Sequence, residues 1–205
     1  KTYYANIVLP YGRPVAAALA RLGGLTLKMV APSHGVIWRS HFDTILAAYQ
    51  AWMVCKPARK VVIAYCSMWG STRAMAEAVA AGAQELPVEV KLINVDATHD
   101  TQIVTEVMDC AAFAAGSATL NMGIMPRMAA TLTYLRGLKP LGKAGFAFGS
   151  HGWAAKGTEE AARYLEAMQM KPVREPLACR FAPDAATLET CRAAGRALAE
   201  VAQHA

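Results

Sequence analysis

An apolar strand that runs directly into a small polar turn is the feature that most constrains this sequence. Residues Val61–Cys66 form an uninterrupted apolar run, and residues Ser67–Thr72 supply a glycine and three hydroxyl groups. Apolar residues then recur at helical spacing at Met75, Val79 and Ala83. The pattern predicts a buried strand, a tight turn and the start of a helix.

The predicted turn has the chemistry of a phosphate site. A helix N-terminus offers unpaired backbone N–H groups and the positive end of the helix dipole, and Ser67, Ser71 and Thr72 add hydroxyl donors. Gly70 permits close approach of the backbone. No lysine or acidic metal ligand follows the turn, and no G-x-G-x-x-G is present, so a phosphomonoester is favoured over a pyrophosphate. An ordinary turn capped by Thr72 is the alternative.

Composition excludes several classes of protein. The chain has 205 residues, of which 55% are hydrophobic, so it is long and apolar enough to bury a core. Five cysteines without a C-x-x-C pattern indicate reduced thiols rather than disulfides or a zinc site. The net charge of +6 comes from scattered basic residues, so we expect no nucleic-acid binding. We see neither a membrane span nor a signal peptide, and we expect a soluble, cytoplasmic protein.

From residue 60 onward, strand-like and helix-like stretches alternate, which is typical of a parallel sheet with crossover helices. The five predicted strands are Val61–Cys66, Val88–Asn94, Ala111–Gly116, Lys143–Ser150 and Met170–Cys179. The predicted helices are Thr72–Glu85, Thr101–Met108, Arg127–Arg136, Thr158–Met168 and Asp184–Ala202, with Asp184 as the cap of the last one.

The first sixty residues follow a different pattern. We predict a helix at Arg13–Leu22, a short strand at Leu25–Val30 and a longer helix at Ile37–Val54. A loop before the second helix carries His34, and the polar residues Lys56–Lys60 are predicted to be a linker. We therefore predict two units, residues 1–56 and residues 57–205.

Three loops leave the carboxyl ends of the first, third and fourth predicted strands, where ligands bind in doubly wound sheets. The phosphate turn is the first, and residues Gly116–Gly123 and Gly149–Ala154 are the others. Each combines glycine, hydroxyl and apolar groups, which suits a flat polar ring held by its edge. Trp153 is the best candidate to stack on that ring, although a tryptophan packed on the following helix is the alternative.

These loops resemble those of a known family. Residues Ser67–Thr72, Gly116–Asn121 and Gly149–Trp153 are similar to the three FMN-binding loops in the flavodoxin-like domain of flavodiiron proteins. Residues Tyr3–Pro10 and Ala31–Arg39 resemble the end of the metallo-β-lactamase-like domain that precedes it in that family. The resemblance covers essentially the whole chain and joins two unrelated sets of motifs in the family's order.

The resemblance implies an α/β fold with a doubly wound, five-stranded parallel sheet in the flavodoxin-like order 2-1-3-4-5, preceded by a partial metallo-β-lactamase-like segment. It implies FMN as the cofactor and His34 as the last iron ligand of the preceding domain. The residues assigned to FMN are Ser67, Met68, Trp69, Gly70, Ser71, Thr72, Ser117, Ala118, Thr119, Leu120, Asn121, Gly123, Ser150, His151, Gly152, Trp153 and Ala154.

The function implied is electron transfer within an oxygen or nitric oxide reductase. In the family, a small carrier such as rubredoxin reduces FMN, and FMN passes electrons to a diiron centre across a head-to-tail homodimer. The other iron ligands of the family have no counterpart in this sequence, so a diiron site requires a complementing region or chain. We expect these residues alone to transfer electrons rather than to reduce oxygen or nitric oxide.

Two residues depart from the family pattern. Ala118 stands where proline is common, and His151 stands where tyrosine is common. A histidine there can titrate near neutral pH, which puts the flavin potential and its pH dependence in question. Other interpretations are a free-standing flavodoxin-like carrier, an NAD(P)H-dependent flavin or quinone reductase, and a flavodoxin-like fold without a cofactor.

Overall fold

The computed structural model describes residues 1–205 and contains a central parallel sheet between two layers of helices. Its strands are β1 (Ala58–Cys66), β2 (Glu89–Asn94), β3 (Cys110–Ser117), β4 (Thr119–Leu120), β5 (Gly123–Ile124), β6 (Ala144–His151), β7 (Lys171–Pro172) and β8 (Leu177–Arg180). Its helices are α1 (Gly12–Leu22), α2 (Phe42–Met53), α3 (Ser71–Ala83), α4 (Asp100–Met108), α5 (Pro126–Leu138), α6 (Lys156–Ala167) and α7 (Ala185–Gln203). None of them is long and apolar enough to cross a bilayer.

The order of the strands confirms the predicted fold. The sheet runs β2-β1-β3-β6, and both β7 and β8 pair with the free edge of β6. All of these pairs are parallel. Because β7 and β8 share the last position, this is the 2-1-3-4-5 order with an interrupted fifth strand.

Burial on both faces of the sheet explains why the central strands are apolar throughout. Alternate residues of β1, such as Val62 and Ala64, face a core shared with α4, α5 and α6. Their neighbours Val61 and Ile63 face a second core shared with α3 and α7. A parallel strand buried on both faces reads as a continuous apolar run, which is what the sequence of β1 shows.

The crossing of α3 and α7 depends on two glycines. A Cβ at Gly82 would lie 2.0 Å from the carbonyl oxygen of Arg192, and a Cβ at Gly195 would lie 2.0 Å from that of Val79. Any side chain at either position would therefore force the helices apart. The contact fixes α3, and with it the turn at the start of α3, on the sheet.

The first residues of the chain pack into the core of the sheet. A π-helical turn, Tyr4–Val8, precedes a 3₁₀ turn, Leu9–Tyr11. Tyr4 and Leu9 are buried in the same core as α4 and α5. The side-chain amide of Asn6 donates to the carbonyl oxygen of Thr101 at 3.2 Å, and the hydroxyl of Tyr134 donates to Asn6 Oδ1 at 3.1 Å. The division at residue 56 stays a prediction, but this turn packs with the second predicted unit.

Two predictions for the first sixty residues are wrong. Residues 25–30 form no strand, because only Val30 bonds antiparallel, to Trp38, with N–O distances of 2.9 and 2.8 Å. The helix predicted from Ile37 begins at Phe42. Trp38 is held in that bridge, and His41 has a left-handed backbone (φ 56°), so neither continues a helix.

Two further predictions need correction. Residues Ala58–Lys60 of the predicted linker belong to β1, and the Lys60 side chain is buried in ion pairs with Glu106 and Asp109. Burial lowers the pKa of Lys60, but hydrogen bonds to the two carboxylates outweigh it, so the pKa is raised. The predicted fifth strand is broken into β7 and β8, because Pro172 and Pro176 supply no N–H donors.

We predict that Asn6→Ala destabilises the whole flavodoxin-like core by about 1–3 kcal/mol, because the buried Asn6 side chain loses its part-buried hydrogen bonds to Thr101 and Tyr134. Urea unfolding followed by circular dichroism measures the change. Tyr134→Phe should cost less, because it removes one hydrogen bond, and exposed Tyr11→Phe is the control. An Asn6→Ala protein as stable as wild type would show that the first turn is dispensable.

Candidate functional site

The first predicted loop presents free backbone donors. Gly70 has φ 93°, and the Ser67 hydroxyl accepts from the N–H groups of Gly70 (3.1 Å) and Arg73 (3.2 Å). The N–H groups of Ser71 and Thr72 have no acceptor in the chain. They lie at the positive end of α3, so this turn can bind an anion such as a phosphate.

The Thr72 hydroxyl has a partner that the sequence did not reveal. Thr72 is fully buried, and its Oγ1 lies 2.8 Å from Ser150 Oγ. This hydrogen bond joins the first loop to the third. Thr72 therefore ties the two loops together, besides offering its backbone N–H at the start of the helix.

The second loop is a short hairpin rather than an irregular loop. β4 pairs antiparallel with β5, and the two residues between them, Asn121 and Met122, have positive φ. Two hydrogen bonds join the hairpin to α6. The Ile124 N–H donates to Glu160 Oε2 at 2.9 Å, and the Gly157 N–H donates to Thr119 Oγ1 at 2.9 Å. The first turns of α6 thus hold this loop in place.

The third loop begins beside the second. A Cβ at Gly149 would lie 1.9 Å from the carbonyl oxygen of Ser117, so only glycine allows β3 and β6 to approach there. Next, the Nδ1 atom of His151 is buried without a hydrogen-bond partner. Trp153 is 90% exposed, and Trp69 of the first loop is 89% exposed. Two unburied tryptophans beside an unsatisfied imidazole nitrogen are features that a bound ligand would cover.

The three loops enclose one cavity of about 460 Å³. Nine of the residues predicted from the sequence line it, namely Met68, Trp69, Ser71, Ala118, Thr119, Ser150, His151, Gly152 and Trp153. The other predicted residues lie in the same three loops but do not line the cavity, namely Ser67, Gly70, Thr72, Ser117, Leu120, Asn121, Gly123 and Ala154.

Two residues of this cavity, Phe181 and Ala182, were not predicted from the sequence. They follow β8, which pairs with β6 so that Arg180 lies beside His151. They belong to no sequence motif, but residues that follow the carboxyl end of a parallel strand are candidates for a ligand site, and that position could have predicted them.

His34 does not belong to this cavity. It lines a separate one near α1 and α2, and its ring stacks on Tyr3 with 4.2 Å between ring centroids. Among residues 1–205, no three His, Cys, Asp or Glu side chains are grouped to hold a metal ion. The residues present therefore do not fit a diiron centre.

Comparison with known proteins decides the family. The model of the flavodoxin family matches residues 63–195, which include the whole cavity. The chain belongs to the flavodoxin family. Flavodoxin domains bind a flavin, FMN, and the free amides of the first loop, the exposed tryptophans and the unpartnered His151 nitrogen fit a phosphate-bearing aromatic cofactor.

The relatives of this flavodoxin domain include larger proteins. Rubredoxin-oxygen oxidoreductase from Megalodesulfovibrio gigas is 37% identical over 97% of this chain and 50% of its own length. Nitric oxide reductase from Moorella thermoacetica is 34% identical over 96% of this chain and 50% of its own length. The chain thus spans about half the length of the curated relatives it matches.

Solved structures agree with the sequence comparison. The flavodiiron protein from Giardia intestinalis superposes with a TM-score of 0.95 at 29% identity, covering 99% of this chain and 51% of that chain. A flavodoxin from the domain Archaea superposes with a TM-score of 0.64 at 30% identity, covering 71% of this chain and 99% of that chain. The resemblance to flavodiiron proteins is confirmed, and it extends beyond the part shared with a small flavodoxin.

We predict that Cys66 stays protonated and unreactive in the native protein. Burial, a hydrogen bond to Asp96 (3.2 Å) and the Asp96 charge raise the pKa of this thiol to about 12. The stability that this raised pKa represents is fully present below the ordinary thiol pKa and falls as the pH rises from there toward 12.

Iodoacetamide at pH 8.5, followed by peptide mass spectrometry, checks the prediction. Half-buried Cys55 is the internal reference and should be modified first. Rapid modification of Cys66 in folded protein would contradict the prediction.

Proposed function

We propose that the chain is the FMN-binding electron-transfer module of a flavodiiron-type oxygen or nitric oxide reductase. The observation that carries the proposal is the cavity at the carboxyl edge of the sheet, which is lined both by Ser71, with its free N–H at the start of α3, and by two exposed tryptophans. The names of the relatives, an oxygen oxidoreductase and a nitric oxide reductase, support the choice of reaction.

The first loop would hold the cofactor phosphate. The unpaired N–H groups of Ser71 and Thr72 would donate to its oxygens, and the hydroxyl of Ser71, a residue that lines the cavity, would add a third donor. Ser67 keeps the loop in shape by accepting two backbone hydrogen bonds. This arrangement would bind a dianion without a lysine, because the helix terminus supplies the positive potential.

The second and third loops would hold the ring system. Trp153 and Trp69 offer aromatic faces for stacking, and Ala118 and Thr119 line the same cavity. The cofactor, when bound, accepts electrons and passes them on, and the protein contributes binding, orientation and electrostatics. His151 also lines the cavity, and its buried Nδ1 has no partner in the protein, which fits a polar group of a bound ring.

A small redox carrier such as rubredoxin is the proposed electron donor, in line with the name of one relative. The proposed acceptor is a diiron centre formed by residues outside this sequence, either in a homodimer or in a complementing chain. His34 would join such a centre only together with those residues, because the side chains present do not form a metal site.

We predict that Thr72→Ala weakens FMN binding by about 1–2 kcal/mol, because the variant loses the hydrogen bond that ties the phosphate turn to Ser150. Ser150→Ala should weaken binding to a similar degree. Titration of apoprotein with FMN, followed by flavin fluorescence, gives the affinity. Thr190→Ala on the exposed side of α7 is the matched control, and equal affinities for all three variants would contradict the assignment.

The decisive test of the proposal is the chromophore of the purified protein. We expect a yellow protein that releases close to one FMN per chain on heating, and that is reduced by reduced rubredoxin. Protein that fails to take up added FMN would refute the cofactor assignment. Rapid oxidation of NAD(P)H by the chain alone would favour a flavin or quinone reductase instead.

A further inference from the structure

The segment after β8 lies against the third loop of the site. β8 runs parallel to β6, with Ser150 opposite Cys179 and His151 opposite Arg180. Both strands therefore end at the same edge of the sheet, and the residues that follow them emerge side by side. Phe181 and Ala182 line the cavity together with Gly152 and Trp153.

Two hydrogen bonds fasten the third loop to this segment. The backbone N–H of Phe181 donates to the carbonyl oxygen of His151 at 2.8 Å. The Arg180 Nε–H donates to the next carbonyl oxygen, that of Gly152, at 3.1 Å. The Gly152 peptide precedes Trp153, so its orientation sets the direction in which the tryptophan leaves the strand.

Phe181 has an unfavourable backbone conformation. Its φ of 62° lies in the left-handed region, which is less favourable in free energy for an aromatic residue than for glycine. Phe181 is 58% exposed and belongs to neither hydrophobic core, so burial does not offset that cost. The Arg180 guanidinium lies over the ring at 5.0 Å from the centroid, and the ring edge faces Gly152, where a Cβ would lie 3.6 Å away.

We propose that Arg180 and Phe181 form a fourth segment of the cofactor site, an inference that rests on the proposed FMN binding. Arg180 is a positioning residue that fixes the Gly152 peptide and, through it, Trp153. Phe181 is a binding residue whose ring forms an apolar wall of the cavity. The strained backbone of Phe181 is what turns the ring toward the cavity.

The Phe181→Gly variant separates the effect on cofactor binding from the effect on folding. Phe181→Gly removes the ring but adopts φ 62° without strain, so the apoprotein should melt at or above the wild-type temperature. Its FMN dissociation constant should rise about tenfold, since it loses an aromatic contact. Phe181→Tyr keeps the ring and should bind within about twofold of wild type.

Two variants of Arg180 test its positioning role in the same way. Arg180→Met keeps the length of the side chain but loses the donor to Gly152, and its FMN dissociation constant should rise about tenfold. Arg180→Lys retains a charged donor and should recover part of that loss. Two controls match these changes at positions away from the cavity: Gln169→Gly, at another left-handed residue (φ 58°), and Arg174→Met, at another exposed arginine.

The experiment is a fluorescence titration of each apoprotein with FMN, paired with its melting temperature without FMN. Weak binding by Phe181→Gly and Arg180→Met with unchanged melting, together with recovery in Phe181→Tyr and Arg180→Lys, supports the proposal. If wild type binds FMN and either Phe181→Gly or Arg180→Met binds within twofold of it, the fourth segment is refuted while the proposed function stands. A Phe181→Gly apoprotein that melts lower would make Phe181 a structural residue and refute its binding role. Wild-type protein that does not bind FMN overturns both.

Discussion

The close approach of two backbones at Gly149 is the constraint on which the site depends. Because the Ser117 carbonyl fills the space where a side chain would be, β3 and β6 end in contact, and their loops leave the sheet together. The Thr72 hydroxyl then reaches Ser150 and joins the loop of β1 to the same point. Three loops that are far apart in sequence thus share one rigid base, and the cavity above that base needs little reorganisation to receive a ligand.

The second loop of the site is held more firmly than the third loop. The second loop is held from below by α6, through Glu160 and the Gly157 N–H. Beyond Ser150, which Thr72 holds, the third loop is held by the segment after β8, through Arg180 and Phe181. The first loop is thus fixed by the helix that follows it, whereas the third loop, which carries Trp153, depends on its contact with the segment after β8. Differences between related flavin sites are therefore expected at the third loop rather than at the first.

Patterns that are local in sequence were sufficient to predict much of this molecule. The apolar run of β1 and the glycine and hydroxyl groups after it located the first loop, and the family resemblance supplied the strand order. What sequence did not reveal is non-local: the hydrogen bond of Thr72 to Ser150, the ion pairs that bury Lys60, and the pairing that brings Phe181 beside Gly152. Each depends on which residues meet after folding, and neither periodicity nor composition records that.

The glycine contact between α3 and α7 also has a consequence for the order of events during synthesis. Without α7, the face of α3 that carries Gly82 has nothing to pack against, and the turn that starts α3 lacks its support. Since α7 follows every strand of the sheet, the ribosome must release nearly the whole domain before that turn is fixed. The phosphate turn is therefore encoded early in the domain and gains its full support only after the last helix has been made.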